Sequence, residues 1–215
     1  AINLYTQDGW GGAVRNLFAP LNAALRSEER TDVKVYWGYI RLLQHALFKL
    51  PKDGSGTLLR GIKVTWMPLH ELRAELQALA DSGEATVWWG FSSTSTSMPA
   101  VEALLGHSGP RVIYTIDGGS SARDVRRYSG LAEDERLLPC GTAFTVKTIG
   151  APAPDLLVVS LKQTDSMMMQ GERDTYVAIA PQTPTQNMAL TQFSAELSAT
   201  EARDEVGRRY DFHQP

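Results

Sequence analysis

The hydrophobic period of this chain changes once, close to residue 52, and that change limits the folds open to it. Before it, apolar residues recur at helical spacing. Val14, Leu17, Phe18, Leu21 and Leu25 form one stripe, with Pro20 placed to strain its middle. Tyr36, Ile40, Leu43, Leu47 and Leu50 form a second, stepping by fours and threes and ending at Pro51. Asp53-Gly54-Ser55-Gly56 reads as a turn. Beyond it, β-branched and aromatic runs predominate: Thr57–Val64, Ala85–Phe91, Arg111–Asp117, Leu137–Leu138, Ala143–Ile149 and Leu156–Lys162. Two helices interrupt them. Pro68 opens one with Leu69, Leu72, Leu76 and Leu79 on one face, and Ser97 and Pro99 cap and open a short one running to Gly106. Helices first, then strands with interposed helices, is an α+β order and not the repeating βαβ of a doubly wound sheet.

Length and charge narrow the function classes. The 215 residues suffice for one well-buried domain with appendages, and 43% hydrophobic with 21% charged residues is a globular composition. A net charge of −3 without any run of Lys or Arg argues against nucleic acid as a bulk electrostatic partner. The apolar stretches fall far short of a membrane span, and no secretory signal is visible at Ala1. Cys140 is the single cysteine, so no internal disulfide forms; beside Pro139 and Gly141 it reads as a packed thiol. It suits a reducing compartment and equally a secreted effector or toxin. His45, His70, His107 and His213 are scattered without ligand spacing, so no metal is expected. After Lys162 the composition turns polar around Met167-Met168-Met169, and Pro181–Gln192 is linker-like. Residues 163–215 are expected to be an extension that is partly ordered at best.

Three segments carry chemistry. Arg60, in Leu58-Leu59-Arg60-Gly61-Ile62, is an arginine within an apolar strand. It reads either as an edge-strand arginine paired to a surface carboxylate or as a fixed guanidinium fork for a phosphate. Gly61 beside it would let a ligand approach the backbone. In Trp88-Trp89-Gly90-Phe91, an aromatic run leads into the six hydroxyl residues Ser92–Ser97. Caps and turns need one or two such residues, whereas hydroxyls beside aromatic walls suit a polar ring on an apolar floor. Glu133-Asp134-Glu135 places two carboxylates at i and i+2, on one side of an extended segment, ahead of Leu137 and Leu138.

Together these segments resemble the arginine–serine–glutamate class of mono-ADP-ribosyltransferases: the strand arginine of Leu59-Arg60-Gly61, the aromatic-x-Ser-Thr-Ser of Phe91-Ser92-Ser93-Thr94-Ser95, and the Glu-x-Glu of Glu133-Asp134-Glu135. Leu4-Tyr5-Thr6, Leu21-Asn22-Ala23-Ala24-Leu25-Arg26, the helix Tyr39–Pro51 and Leu138–Val146 also match the family, so the resemblance covers roughly residues 2–162. It implies an ADP-ribosyltransferase-like mixed or antiparallel β-sandwich core preceded by a helical region. It implies a catalytic domain over residues 1–162, with a helical part (1–52) and a strand-rich NAD-binding core (53–162).

The resemblance further implies cleavage of the nicotinamide–ribose bond of NAD, used as substrate without a metal, through an oxocarbenium-like ribose. Arg60 would hold the phosphates, Gly61 the nicotinamide amide, and Ser93 the ribose and the catalytic glutamate, with Phe91, Thr94 and Ser95 also in the cofactor site. Glu135 would stabilise the developing positive charge. Glu133 would bind and deprotonate the guanidinium of a protein acceptor, which is otherwise a poor nucleophile. Residues 117–135 would be the acceptor loop, with Tyr128 a candidate contact. Asp134 would point away and tolerate Asn or Ser. The chain departs from the family in lacking disulfides and in having Leu104 where a covering phenylalanine is usual. The expectation is a monomeric arginine-specific transferase acting on a protein; NAD glycohydrolase activity with water as acceptor, or a non-catalytic binding module, are the competing readings.

Overall fold

The computed structural model describes residues 1–6, 17–54, 56–117, 121–129 and 134–164. Helices come first: α1 (Ile2–Thr6), α2 (Phe18–Arg26), a 3-10 turn over Asp32–Tyr36, and α3 (Trp37–Phe48). In α3 the four-and-three stripe is the buried face, through Ile40, Leu43 and Leu47. Pro20 strains nothing, contrary to expectation. Helix α2 begins at Phe18, which places the proline in the first turn, where the missing N–H has no helical partner to lose.

The strand half contains β1 (Leu58–Lys63), α4 (Leu69–Ser82), β2 (Ala85–Trp88), β3 (Ser92–Thr94) and α5 (Met98–Leu105). It continues with β4 (Arg111–Asp117), β5 (Arg123–Asp124), β6 (Arg136–Leu138), β7 (Thr142–Ala153) and β8 (Leu156–Thr164). Ser97 caps α5 as expected, its hydroxyl accepting from the Ala100 amide. Two sheets form. Five strands run β1-β4-β8-β7-β2, antiparallel except for the parallel β4–β8 pair, and three run β3-β6-β5. The aromatic run does not pass into a hydroxyl-rich turn: the chain leaves the large sheet after Trp88, and Ser92–Thr94 is itself a strand of the small sheet.

The small sheet is a middle layer. Its Leu138 joins Ala122 in the core of the large sheet, with Leu58, Ile62, Tyr114, Phe144 and Val159 and with Leu72 and Leu76 of α4. Its Leu137 faces the other way, with Phe91 and Val125, into a core shared with Ile2, Tyr5, Leu21, Leu25, Ile40, Leu43 and Leu47. The helical residues therefore cover the small sheet. Among the described residues, no helix is long and apolar enough to cross a membrane.

Helix α5 packs on the opposite face of β1, where Leu59, Ile113, Val101 and Leu105 form a third cluster. Gly61 allows this approach: a Cβ there would lie 2.8 Å from side-chain atoms of Leu105 and Val101. Gly61→Ala is therefore expected to overpack this contact and cost about 1–3 kcal/mol, read as a lower denaturant midpoint with an unchanged m-value.

Candidate active site

A backbone bridge joins the two sheets. The Leu59 amide donates to the Ser95 carbonyl and the Ser95 amide to the Leu59 carbonyl, both at 2.8 Å. This bridge brings Arg60 of β1 beside Ser93 of β3. The Arg60 guanidinium donates through Nη1 to the Ser93 carbonyl at 2.8 Å and lies 5.9 Å from the centre of the Trp88 ring. Trp88 in turn meets Tyr114 edge-on, with centroids 5.4 Å apart. Even-numbered residues of β1 bond toward β4, as the Val64 amide still does to the Pro110 carbonyl, while Leu59 bonds outward to Ser95. The alternation of an antiparallel pair turns the N–H and C=O of Gly61 outward as well. So Gly61 fits a close-packed helix on one side and offers backbone groups at the edge of β1.

Ser93 is exposed, and its hydroxyl donates to Glu135 Oε1 at 2.8 Å. The other carboxylate oxygen, Oε2, accepts from the Ser129 hydroxyl at 2.8 Å. Glu135 is only 9% exposed and directly precedes β6, which pairs with β3 so that Ser93 lies opposite Leu137. Arg60, Ser93 and Glu135 thus converge from three strands or their ends. Glu133 lies outside the described residues.

The remaining sequence-predicted residues lie nearby. Thr94 is buried, its hydroxyl donating to the Arg136 carbonyl at 3.0 Å. Phe91 is buried edge-on to Tyr5, with centroids 5.5 Å apart. Ser95 spends its backbone on Leu59, while its hydroxyl accepts from the Ser97 amide at 3.0 Å. Tyr128, 45% exposed, stands on the surface in the turn after β5.

Asn22, on α2, holds the chain leading into β3 in place. Its amide nitrogen donates to the Phe91 carbonyl at 3.1 Å and to the Tyr5 hydroxyl at 2.9 Å, while its oxygen accepts from the Phe91 amide at 2.9 Å. Burial pushes the Tyr5 hydroxyl well above the ordinary phenol range. Gly90 admits the contact, since a Cβ there would sit 3.0 Å from Asn22 Oδ1. The available signal was a polar residue next to Leu21 on a helix whose neighbours Leu21, Ala24 and Leu25 are buried.

Asp134 corrects another expectation. It does point away from the partners of Glu135, but it is not indifferent. Its carboxylate accepts from the Thr96 amide at 3.0 Å, from the Thr96 hydroxyl and from Arg136 Nη1 at 2.8 Å, and it pairs with Arg126 at 3.4 Å. Arg136 is itself buried and reaches Asp53 at 3.2 Å and Asp124 at 3.7 Å. Burial alone would raise the Asp134 carboxyl, but the Thr96 and Arg136 hydrogen bonds override it and hold the pKa at about 2, below an ordinary 3.8. A group with its folded pKa depressed contributes stability that is complete above its unfolded pKa and disappears as pH falls through the folded one. Asp134→Asn is therefore expected to cost about 2 kcal/mol at pH 7, and urea unfolding should show that gap closing between about pH 4 and pH 2.

Cys140 is buried, its thiol pushed up to about 12 by burial, and its Sγ accepts from Gln44 Nε2 at 3.1 Å. Among the described residues, no group of three or more His, Cys, Asp or Glu side chains is placed to hold a metal ion.

No protein-family model matches the sequence, and no curated protein does. Solved structures do. HopU1, an ADP-ribosyltransferase of Pseudomonas syringae pv. Tomato DC3000, aligns over 76% of this chain and 74% of its own at 22% identity and a TM-score of 0.61. The ADP-ribosyltransferase Vis of Vibrio splendidus, in complex with agmatine, aligns over 69% and 68% at 21% identity and 0.54. The C3 exoenzyme of Clostridium limosum aligns over 68% and 79% at 16% identity and 0.51. A helical part laid on two facing sheets, with Arg60, Ser93 and Glu135 at their junction, is in this chain an ADP-ribosyltransferase fold.

Proposed function

We propose that residues 1–162 form a catalytic domain that transfers ADP-ribose from NAD to arginine side chains of a protein, acting as a monomer and without a metal. The observation that carries this reading is the hydrogen-bonded series from Arg60 through Ser93 to Glu135. The residues fit the substrate class. Arg60 supplies a positive charge for phosphate, Trp88 an aromatic face beside it, Gly61 outward backbone groups for the nicotinamide amide, and Glu135 a nearly buried carboxylate. In the reaction, the bond between nicotinamide and ribose breaks with its electron pair leaving on nicotinamide. The ribose carbon becomes cationic, and Glu135, oriented by Ser93, stabilises that charge; one contact of this kind is worth on the order of 3 kcal/mol of barrier.

The acceptor half of the proposal rests on Glu133. A guanidinium is protonated in water, so attack on the ribose carbon needs a carboxylate to bind its fork and take the proton as the new carbon–nitrogen bond forms. Vis has been solved in complex with agmatine, a guanidino compound, which supports a guanidino acceptor for this chain. Two variants test the division of labour, with NAD, agmatine and chromatographic analysis of products. Glu135→Ala is expected to reduce nicotinamide release about a hundredfold or more. Glu133→Gln is expected to abolish ADP-ribosyl-agmatine while free ADP-ribose still forms. Full-rate agmatine modification by Glu133→Gln would refute its role, and free ADP-ribose as the only product of the unaltered protein would make the enzyme an NAD glycohydrolase.

A further inference from the structure

We propose that Ser129 is a second positioning residue for Glu135, tying the turn after β5 to the carboxylate; the proposal rests on the reading of Glu135 given above. A carboxylate held at one oxygen turns easily about its last side-chain torsion, which is broad and two-fold. Ser93 holds Oε1 and Ser129 holds Oε2, each at 2.8 Å, so two donors from different parts of the chain fix the plane of the group. Ser93 belongs to β3, which is fixed by the Asn22 clamp and the Leu59–Ser95 bridge. Ser129 belongs to the turn after β5. There the Val125 carbonyl accepts from the Tyr128 and Ser129 amides, both at 2.8 Å, and the Val125 amide donates to the Glu135 carbonyl at 3.3 Å. Backbone and side chain of Glu135 are therefore both tied to this turn, and the buried Val125 roots it in the helical core. Tyr128, adjacent to Ser129, is exposed, so a body resting on the turn bears on the residue that orients the carboxylate.

The test is steady-state kinetics of nicotinamide release, with NAD varied and saturating agmatine. Ser129→Ala is expected to lower kcat about tenfold with KM for NAD changed less than twofold, because orientation and not binding is lost. Ser129→Thr, which keeps the hydroxyl, is expected to recover kcat to within about threefold. An unchanged kcat in Ser129→Ala would overturn the proposal. So would equal losses in the Ala and Thr variants accompanied by a lowered Tm, which mark a merely structural role. If Ser129→Ala fails to fold, Ser129→Cys, which keeps the volume but donates weakly, is read by the same criteria. An unaltered protein that releases no nicotinamide would instead overturn the reading of Glu135 and the present one with it, whereas a fully active Ser129→Ala overturns only the latter.

Discussion

The site depends on a strand of three residues that is buried on both faces. In β6, Leu137 enters the helical core and Leu138 the core of the large sheet, and neither is exposed to solvent. Each burial stabilises the arrangement by about 2 kcal/mol. Because successive residues of a strand face opposite ways, a slip of one residue would exchange the faces of Leu137 and Leu138 and turn Glu135 away from Ser93. Pairing with β3 on one side and β5 on the other removes that freedom. The Glu135 carboxylate is therefore placed by the backbone pairing of β6, while burial of Leu137 and Leu138 holds that strand between the two cores.

Polar contacts then refine the geometry from two ends of β3. Asn22 takes up the backbone of Phe91 ahead of the strand, and Asp134 takes up Thr96 after it. Arg136 stands behind Asp134 and also meets Asp53 and Asp124, so the segment entering β1, the end of β5 and the start of β6 share one buried guanidinium. Placing Arg60, Ser93 and Glu135 on or beside short strands held in this way gives rigidity that an isolated loop lacks.

What the sequence made legible follows from locality. The four-and-three stripe of α3, the bounds of β4 and the Ser97 cap depend on neighbours within a turn or a strand, and each stands where the pattern placed it. Arg60, Ser93 and Glu135 were legible as a family pattern, and the fold brings them together. What escaped reading has distant partners. The hydroxyl run from Ser92 forms a strand because Thr94 and Ser93 meet residues 42 positions away. Asn22 looks like a helix residue of no consequence until Phe91 arrives. Asp134 looked dispensable because its position relative to Glu135 says nothing of Thr96. β5, with two residues, has no periodicity to detect, and Ser129 carries no signal other than its distance from Glu135.

The Asn22 clamp also sets an order of events in folding. Tyr5 and Phe91 are separated by 86 positions and Asn22 and Phe91 by 69, and the core that these residues share is completed only by Leu137 and Cys140. Contacts so far apart in sequence close large loops and form slowly compared with the local turns of α3 or α4. During synthesis, the helices at the start of the chain leave the ribosome with an apolar face whose cover is still untranslated. The junction of the sheets is completed only after Leu137 and Cys140 have been made, so a product that stops short of them holds Arg60 and Ser93 without Glu135.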